Sequence, residues 1–504
     1  WAKLHGTTSV TGETYSSDGL AVPNRPDRSS RVVTGLSVGV LKDQMRIPVS
    51  ALVSDDQVAF RQNINQVAVA PRFRWAGLTA GNFSPQFSSY TLSDATILGA
   101  GFELAPSQWR IGFVDGRARK AITPSVDGLA ITPQFARDVL AGRVGYGNPA
   151  ANALEFSVMR ANDDPGSIAG AESTITVTPE GNTVYALKAQ GLLPREHVRA
   201  IVETALSRYD RDRRADVPTL SGHAVGVQIF HETPLVHTGI KAEYLNGGFM
   251  DLGNSAITGD RVDLGLNAGV QLMQGKLTFD GTAGTRSDGV SALVAAPTRR
   301  QTYGLNGAWQ PGQHFGANAQ MSVYANRAAA TDTLLLGASS NTTRVYSVAP
   351  HTAWMVGHVQ NTLGASATVQ RSENGGAYPS TKCLSLAGNW GAAIAPQLQV
   401  TLDGNYTKTD LTLLVTEQSA FGPGFTLAAF RSKLLTNALL QFTRSRTGNS
   451  GTDTEFTPRV ETRWEFAAHQ AVVLRANFRQ YKYAAPYTPL FDERTASIEY
   501  VTNL

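Results

Sequence analysis

One cysteine stands in 504 residues. Cys383 alone can form no intramolecular disulfide and no zinc–cysteine cluster, so neither kind of staple holds this chain. Long apolar runs are missing too. Nowhere do about 18 consecutive apolar residues occur, which excludes a transmembrane helix. Charge of one sign is not in excess: Lys and Arg number 44 against 40 Asp and Glu. The concentrated basic face that nucleic acid requires is therefore absent, and no nucleic-acid partner is expected. A chain of this length would ordinarily divide into several domains. Yet no stretch is strongly Pro/Ser-rich, and the 48 glycines are spread along the sequence, so one domain over 1–504 is expected, with no N-terminal plug. Phosphate-binding Gly loops, HExxH, paired CxxC and GxSxG are all absent. The expectation is a protein that is not an enzyme and has no catalytic, metal or cofactor site.

What the chain has instead is alternation with a period of two. Phe456, Val460, Thr462, Trp464 and Phe466 interleave with Thr457, Arg459, Glu461, Arg463 and Glu465. Phe315, Ala317, Ala319, Met321, Val323 and Ala325 interleave with Gly316, Asn318, Gln320, Ser322, Tyr324 and Asn326, and Leu398, Val400 and Leu402 with Gln399, Thr401 and Asp403. A strand separates such sets onto two faces and a helix mixes them. Segments of about ten residues with one apolar and one polar face are the signature of a transmembrane β-barrel, whose ordinary mean hydropathy (−0.16 here) hides its membrane signal.

Turn residues divide the alternation into about 26 strands, within a range of roughly 22 to 26, so the fold class is all-β, a single closed antiparallel transmembrane barrel. Connections alternate in length. Short ones fall at Lys42-Asp43, 105–107, Asn148-Pro149-Ala150, 192–194, Thr233-Pro234, Met273-Gln274-Gly275, Gln310-Pro311-Gly312, Ala395-Pro396 and Arg431-Ser432. Between them lie longer loops at 15–27, 84–93, 123–137, 163–181, 210–220, 288–298 and 328–340. Outer-membrane barrels pair short periplasmic turns with long extracellular loops, which predicts a bacterial outer-membrane location, contact with outer-membrane lipid, and both termini periplasmic. Trp75, Trp109, Trp309, Trp354, Trp390 and Trp464 fall near strand ends, as interfacial girdles require.

By alternation Arg199, Glu203, Arg261, Asp263, Lys276, Asp280, Arg459, Glu461, Arg463, Glu465, Arg475 and Arg479 point into the lumen. Interleaved acids and bases favour cross-strand ion-pair ladders over an anion path. His197, His223, His231 and His237 are the histidines weighed for catalysis, with a surface or girdle place the better reading. The run Asn162-Asp163-Asp164-Pro165-Gly166-Ser167 reads as a turn in preference to a calcium loop, since it lacks the spaced ligands and distal Glu of an EF-hand.

Size sharpens the question. About 26 strands spaced about 4.8 Å apart and tilted about 40° give a closed sheet a backbone diameter on the order of 50 Å, too wide for side chains to fill. Loops fold inward, a periplasmic or extracellular protein partner plugs the lumen, or the pore is open and breaches the membrane barrier. An occluded lumen is expected. The loop Asn82 to Ser93, with Phe83, Phe87 and Tyr90 and little charge, is the first candidate to fold inward, and 163–181 the second.

The segments Phe87-Ser88-Ser89-Tyr90-Thr91-Leu92-Ser93, Gly99-Ala100-Gly101-Phe102-Glu103-Leu104, Gly116-Arg117-Ala118-Arg119-Lys120-Ala121, the run from Arg160 to Ile168 and the ending Asp492-Glu493-Arg494-Thr495-Ala496-Ser497 resemble those of large, uncharacterised, porin-like outer-membrane barrel proteins of Bacteroidota and related phyla. The resemblance implies an outer-membrane barrel and brings no activity with it. The leading functional expectation is a channel or transport barrel with an occluded lumen. The alternative is a structural or docking barrel that anchors surface proteins, secretion machinery or an extracellular assembly.

Overall fold

A computed structural model describes the chain except for residues 1, 20–25, 56–64, 94, 124–131, 169–176, 255–256, 258, 292–296, 329–338, 376–379, 412–413, 449 and 485–489, and the side chain of Leu490. Consecutive strands pair antiparallel throughout, from Lys3–Asp18 to Leu490–Asn503. Two short pieces, Gln66–Val69 and Arg72–Phe73, share one position between Met45–Ser54 and Ala76–Phe83, interrupted at Pro71, which has no N–H to give the ladder. The wall therefore has 26 positions. It closes where the first strand pairs with the last, in a register running from Thr7 opposite Asn503 to Asp18 opposite Asp492. Closure leaves no sheet edge, the condition a bilayer imposes on β-structure.

Connections alternate as the sequence indicates. Tight turns occupy one end, at 41–44, 105–108, 233–235, 273–276 and 430–433 among others, and the longer connections occupy the other. Several tight turns hold non-glycine residues at positive φ, such as Leu41, Lys42 and Asp43 or Phe430, Arg431 and Ser432, which matches the twist of a closing hairpin. Lys3 and Asn503 both lie at the tight-turn end.

The two faces differ chemically. Leu140, Phe156, Leu187, Leu206, Ile240, Leu305 and Leu440 stand exposed on one face, while the other carries many small, polar and charged side chains, such as Glu155, Lys188, Ser207 and Lys241. Only the first face suits hydrocarbon, so it is the outer one. The six tryptophans among the described residues gather at the tight-turn end of the strands: Trp75 in a turn, Trp109 opening its strand, Trp309 closing another, and Trp354, Trp390 and Trp464 shortly before theirs end. Trp109 meets Tyr146 edge-on at 5.2 Å and Trp464 meets Phe466 at 5.7 Å, forming one girdle. Nearer the loop end Tyr244, Tyr303 and the stacked pair Phe442–Phe456 line the same face. From Trp464 back to Phe456 is about 20 Å along the axis of a tilted barrel, close to the apolar band such proteins present. Beyond it, outward ion pairs take over, Arg344–Glu373 at 2.6 Å and Lys408–Glu417 at 3.0 Å.

Candidate functional site: the inner wall and its inward loop

The largest fully buried side chains cluster against the inner wall, and a wall one strand thick can bury nothing alone. Residues 84–93 leave the strand Ala76–Phe83 and lie across the inner faces of the strands from Trp109–Arg119 to Val236–Leu245. Val139, Ala141, Met159, Ala161, Val184, Ala186, Ala205 and Ala224 face inward there, and Phe87, Tyr90, Leu92 and Ile97 pack on them. Both faces of these strands are apolar, the pattern of a sheet covered on both sides. The described residues of the connection 246–260 join the same cluster through Phe249, Leu252 and Ile257, with the Tyr90 and Phe249 rings edge-to-face at 5.9 Å.

Polar contacts fix the position of the loop. Gly226 stands in a row of the wall between Glu203 on one neighbouring strand and Glu243 on the other. The Tyr90 phenol fills that gap: a Cβ on Gly226 would sit 2.6 Å from its oxygen. Tyr90 donates its hydroxyl to Glu243 at 2.9 Å, and Ser88 donates to Glu203. The Thr91 and Ser157 hydroxyls lie 3.2 Å apart. Arg143 donates to the Gln86 carbonyl at 3.1 Å while its guanidinium covers the Phe87 ring. Burial, helped by the Glu243 charge, raises the ionisation of Tyr90 above its ordinary value, so the phenol stays protonated and remains a donor.

Most sequence-derived lumen residues fall into two groups. Around the loop, Glu203 and Glu243 receive it, and Arg261 holds Glu243 in place at 2.7 Å. Lys241 stands 3.6 Å from both Glu243 and Asp263. Arg199 lies lower on the wall and donates to the Pro149 carbonyl at 3.3 Å. Asp280 contacts His237 at 3.0 Å.

The second group forms a ladder across the barrel seam. Arg475 bridges Glu461 and Glu499 at 2.8 and 2.7 Å, and Arg479 bridges Glu455 and Glu493 at 2.7 and 3.3 Å. Tyr15 of the first strand donates to Glu493 at 2.9 Å, carrying the rung nearer the loop end across the closing pair of strands. Arg463 pairs with Glu465 along its own strand at 3.1 Å. Arg459 makes no hydrogen bond or ion pair among the described residues. These side chains are part-exposed, so each bridge contributes only about 1 kcal/mol or less, screened by salt. Arg479→Ala is expected to lower the temperature of the heat-induced gel-mobility shift slightly, with the gap to wild type narrowing in 1 M salt. A shift insensitive to salt would remove the electrostatic account of the seam.

One lumen residue is misplaced by alternation. Lys276 is not on the wall: it sits in the tight turn that follows Met273–Gly275, exposed, with the strand beginning at Leu277. The turn residues interrupt the period of two, so counting back through them fails. The histidines do not converge. Of the four weighed, His197 occupies a turn, His223 and His231 face outward, and His237 faces inward. Asp164 accepts the Gly166 amide at 3.0 Å, as a turn residue does, while Asp163 is held by Arg119 and Arg137. No group of three potential metal ligands occurs among the described residues. The central part of the second inward candidate, 169–176, lies outside the described residues.

Sequence reasoning missed residues 246–260 and the apolar inner patch. A signal was present: Phe249, Met250 and Leu252 within Asn246-Gly247-Gly248-Phe249-Met250-Asp251-Leu252-Gly253 are too apolar for a solvated loop, and Val139, Leu140 and Ala141 break alternation.

No family model matches the sequence, and no curated protein does. Solved structures with a similar fold include the P pilus usher (PapC) translocation pore, at 11% identity and a TM-score of 0.42 over 99% of both chains. BauA, the ferric preacinetobactin receptor of Acinetobacter baumannii, is similar at 10% identity and 0.40, over 99% of this chain and 80% of that one. OccK10 (OpdN) of Pseudomonas aeruginosa is similar at 10% and 0.38, over 71% and 99%.

Proposed function

We propose that the protein is a non-enzymatic channel or transport barrel of a bacterial outer membrane, with a lumen narrowed by its own loops. The tight turns and both chain ends face the periplasm in this reading, which the alternation of short and long connections supports. The observation that carries the reading is the seating of residues 84–93 on the inner wall, with Tyr90 in the gap at Gly226 and Ser88 and Tyr90 on Glu203 and Glu243. A barrel whose only task was to display outer loops would have no use for a fitted segment inside. The loop covers one arc of the wall.

Planar-bilayer recording tests this. The purified chain is expected to conduct, and removing residues 84–93 to raise single-channel conductance by about twofold or more, because conductance follows the open cross-section. No current from either protein would sink the channel reading and leave the docking barrel in its place.

A further inference from the structure

Over seven consecutive strands, from Phe315–Ala328 to Leu434–Thr447, the inner face changes character. Elsewhere on the wall acids and bases are frequent and mostly bridged. Here His351 and Asp403 are the only acidic or basic side chains facing inward, and the rest are chiefly Gly, Ala, Ser, Thr, Asn and Gln. A cavity of about 470 Å³ lies in this arc, ringed by Asn318, His351, Asn389, Asp403, Asn405 and Gln441. The side chains of these six make no hydrogen bond or ion pair among the described residues. Gly364 and Gly422 thin its floor, and Asn389 leans across Gly364.

We infer that this arc is a binding track for neutral, polyhydroxylated solutes, that is, oligosaccharides. The inference rests on the wall lining a solute path, as proposed above. Three observations favour the class. First, seven strands without opposed charges offer no field to select an ion and no partner to neutralise a charged polymer. Second, the free groups complement hydroxyls: the Asp403 carboxylate accepts from two, and each Asn or Gln amide both donates and accepts. A sugar presents hydroxyls on every edge, whereas a peptide brings side chains that this wall gives no pockets. Third, the groups run in register. His351, Gly364, Asn389, Asp403 and Gly422 stand opposite one another on successive strands. With strands about 4.8 Å apart this row spans about 20 Å, a track for a chain of rings and not a pocket for one.

Calorimetric titration of the full-length protein in detergent reads binding without reference to conduction. Maltohexaose is the probe, with a size-matched polyethylene glycol and a neutral Gly-Ser hexapeptide beside it. Maltohexaose alone is expected to bind, and Asp403→Ala combined with Asn405→Ala to weaken it about tenfold, which is about 1.4 kcal/mol. Gln441→Ala should give a smaller loss, and Asn306→Ala, on the charged arc, none. These side chains face open lumen, so the variants are expected to keep the wild-type heat-modified gel mobility. Binding of the glycol or the peptide as tight as that of the sugar, no binding of the sugar, or unchanged affinity in both arc variants would overturn the inference. Sugar binding by a protein that passes no current would keep the track and refute the channel.

Discussion

Gly226→Val is expected to open the lumen as far as removing the whole inward loop does. The glycine carries no side chain because the Tyr90 phenol occupies that place, and even a Cβ would sit 2.6 Å from its oxygen. The backbone there belongs to a paired strand, held on both sides by Glu203 and Glu243 in register, so the ring must leave and the wall will not. Losing the seat of a buried aromatic costs about 3–5 kcal/mol, roughly a hundredfold or more in the balance between seated and released loop. Tyr90→Ala should do the same from the other side. Tyr90→Phe keeps the packing and loses only the bond to the Glu243 carboxylate, which Arg261 still holds, a change of about 1.5–3 kcal/mol, so it should release the loop less than Tyr90→Ala does. Single-channel conductance separates the cases: Gly226→Val and Tyr90→Ala highest, Tyr90→Phe closer to wild type. A Gly226→Val channel with wild-type conductance would mean that the loop does not set the aperture.

The barrel itself was legible in the sequence because its cause is local. Facing lipid on one side and water on the other imposes a period of two on each strand independently, as Val460, Thr462 and Trp464 against Arg459, Glu461 and Arg463 show, and tight turns mark where each strand ends. Ladder partners were legible only as candidates. That Arg475 would meet Glu461 and Glu499 depends on register, which is set by pairing residues far apart in sequence. The choice of 84–93 as an inward segment came from its aromatic content, yet its seat did not, since Gly226 is one glycine among 48. Residues 246–260 escaped because their apolar side chains are few and scattered, and their partners Met159, Val184 and Ala205 come from three different strands.

Acid should tighten the inward cluster, and Asp251 is the group through which it does so. Asp251 lies between strands, 3% exposed, with Oδ1 accepting the Gly253 amide at 2.8 Å and Oδ2 buried with no partner among the described residues. Burial pushes its ionisation well above the ordinary 3.8, outweighing the amide hydrogen bonds that favour the charged form. The segment bears on the inward loop directly. Asn254 donates to the Ser89 carbonyl at 3.1 Å, and Gly253 packs against the Thr91 carbonyl. With the segment released into solvent the carboxyl returns to its ordinary value, so the seated form binds the proton more tightly. Its advantage is complete below pH 3.8, falls as pH rises towards the seated value, and is level above it. Each unit of displacement is tenfold in the seating equilibrium. Conductance is therefore expected to fall as pH is lowered through that window. Asp251→Asn keeps the oxygen that accepts from Gly253 and removes the charge, so at neutral pH it should behave as wild type does in acid, with slower amide exchange across 84–93 and 246–254. A variant that retains the full pH response, or a wild type whose conductance rises in acid, would place the titrating group elsewhere.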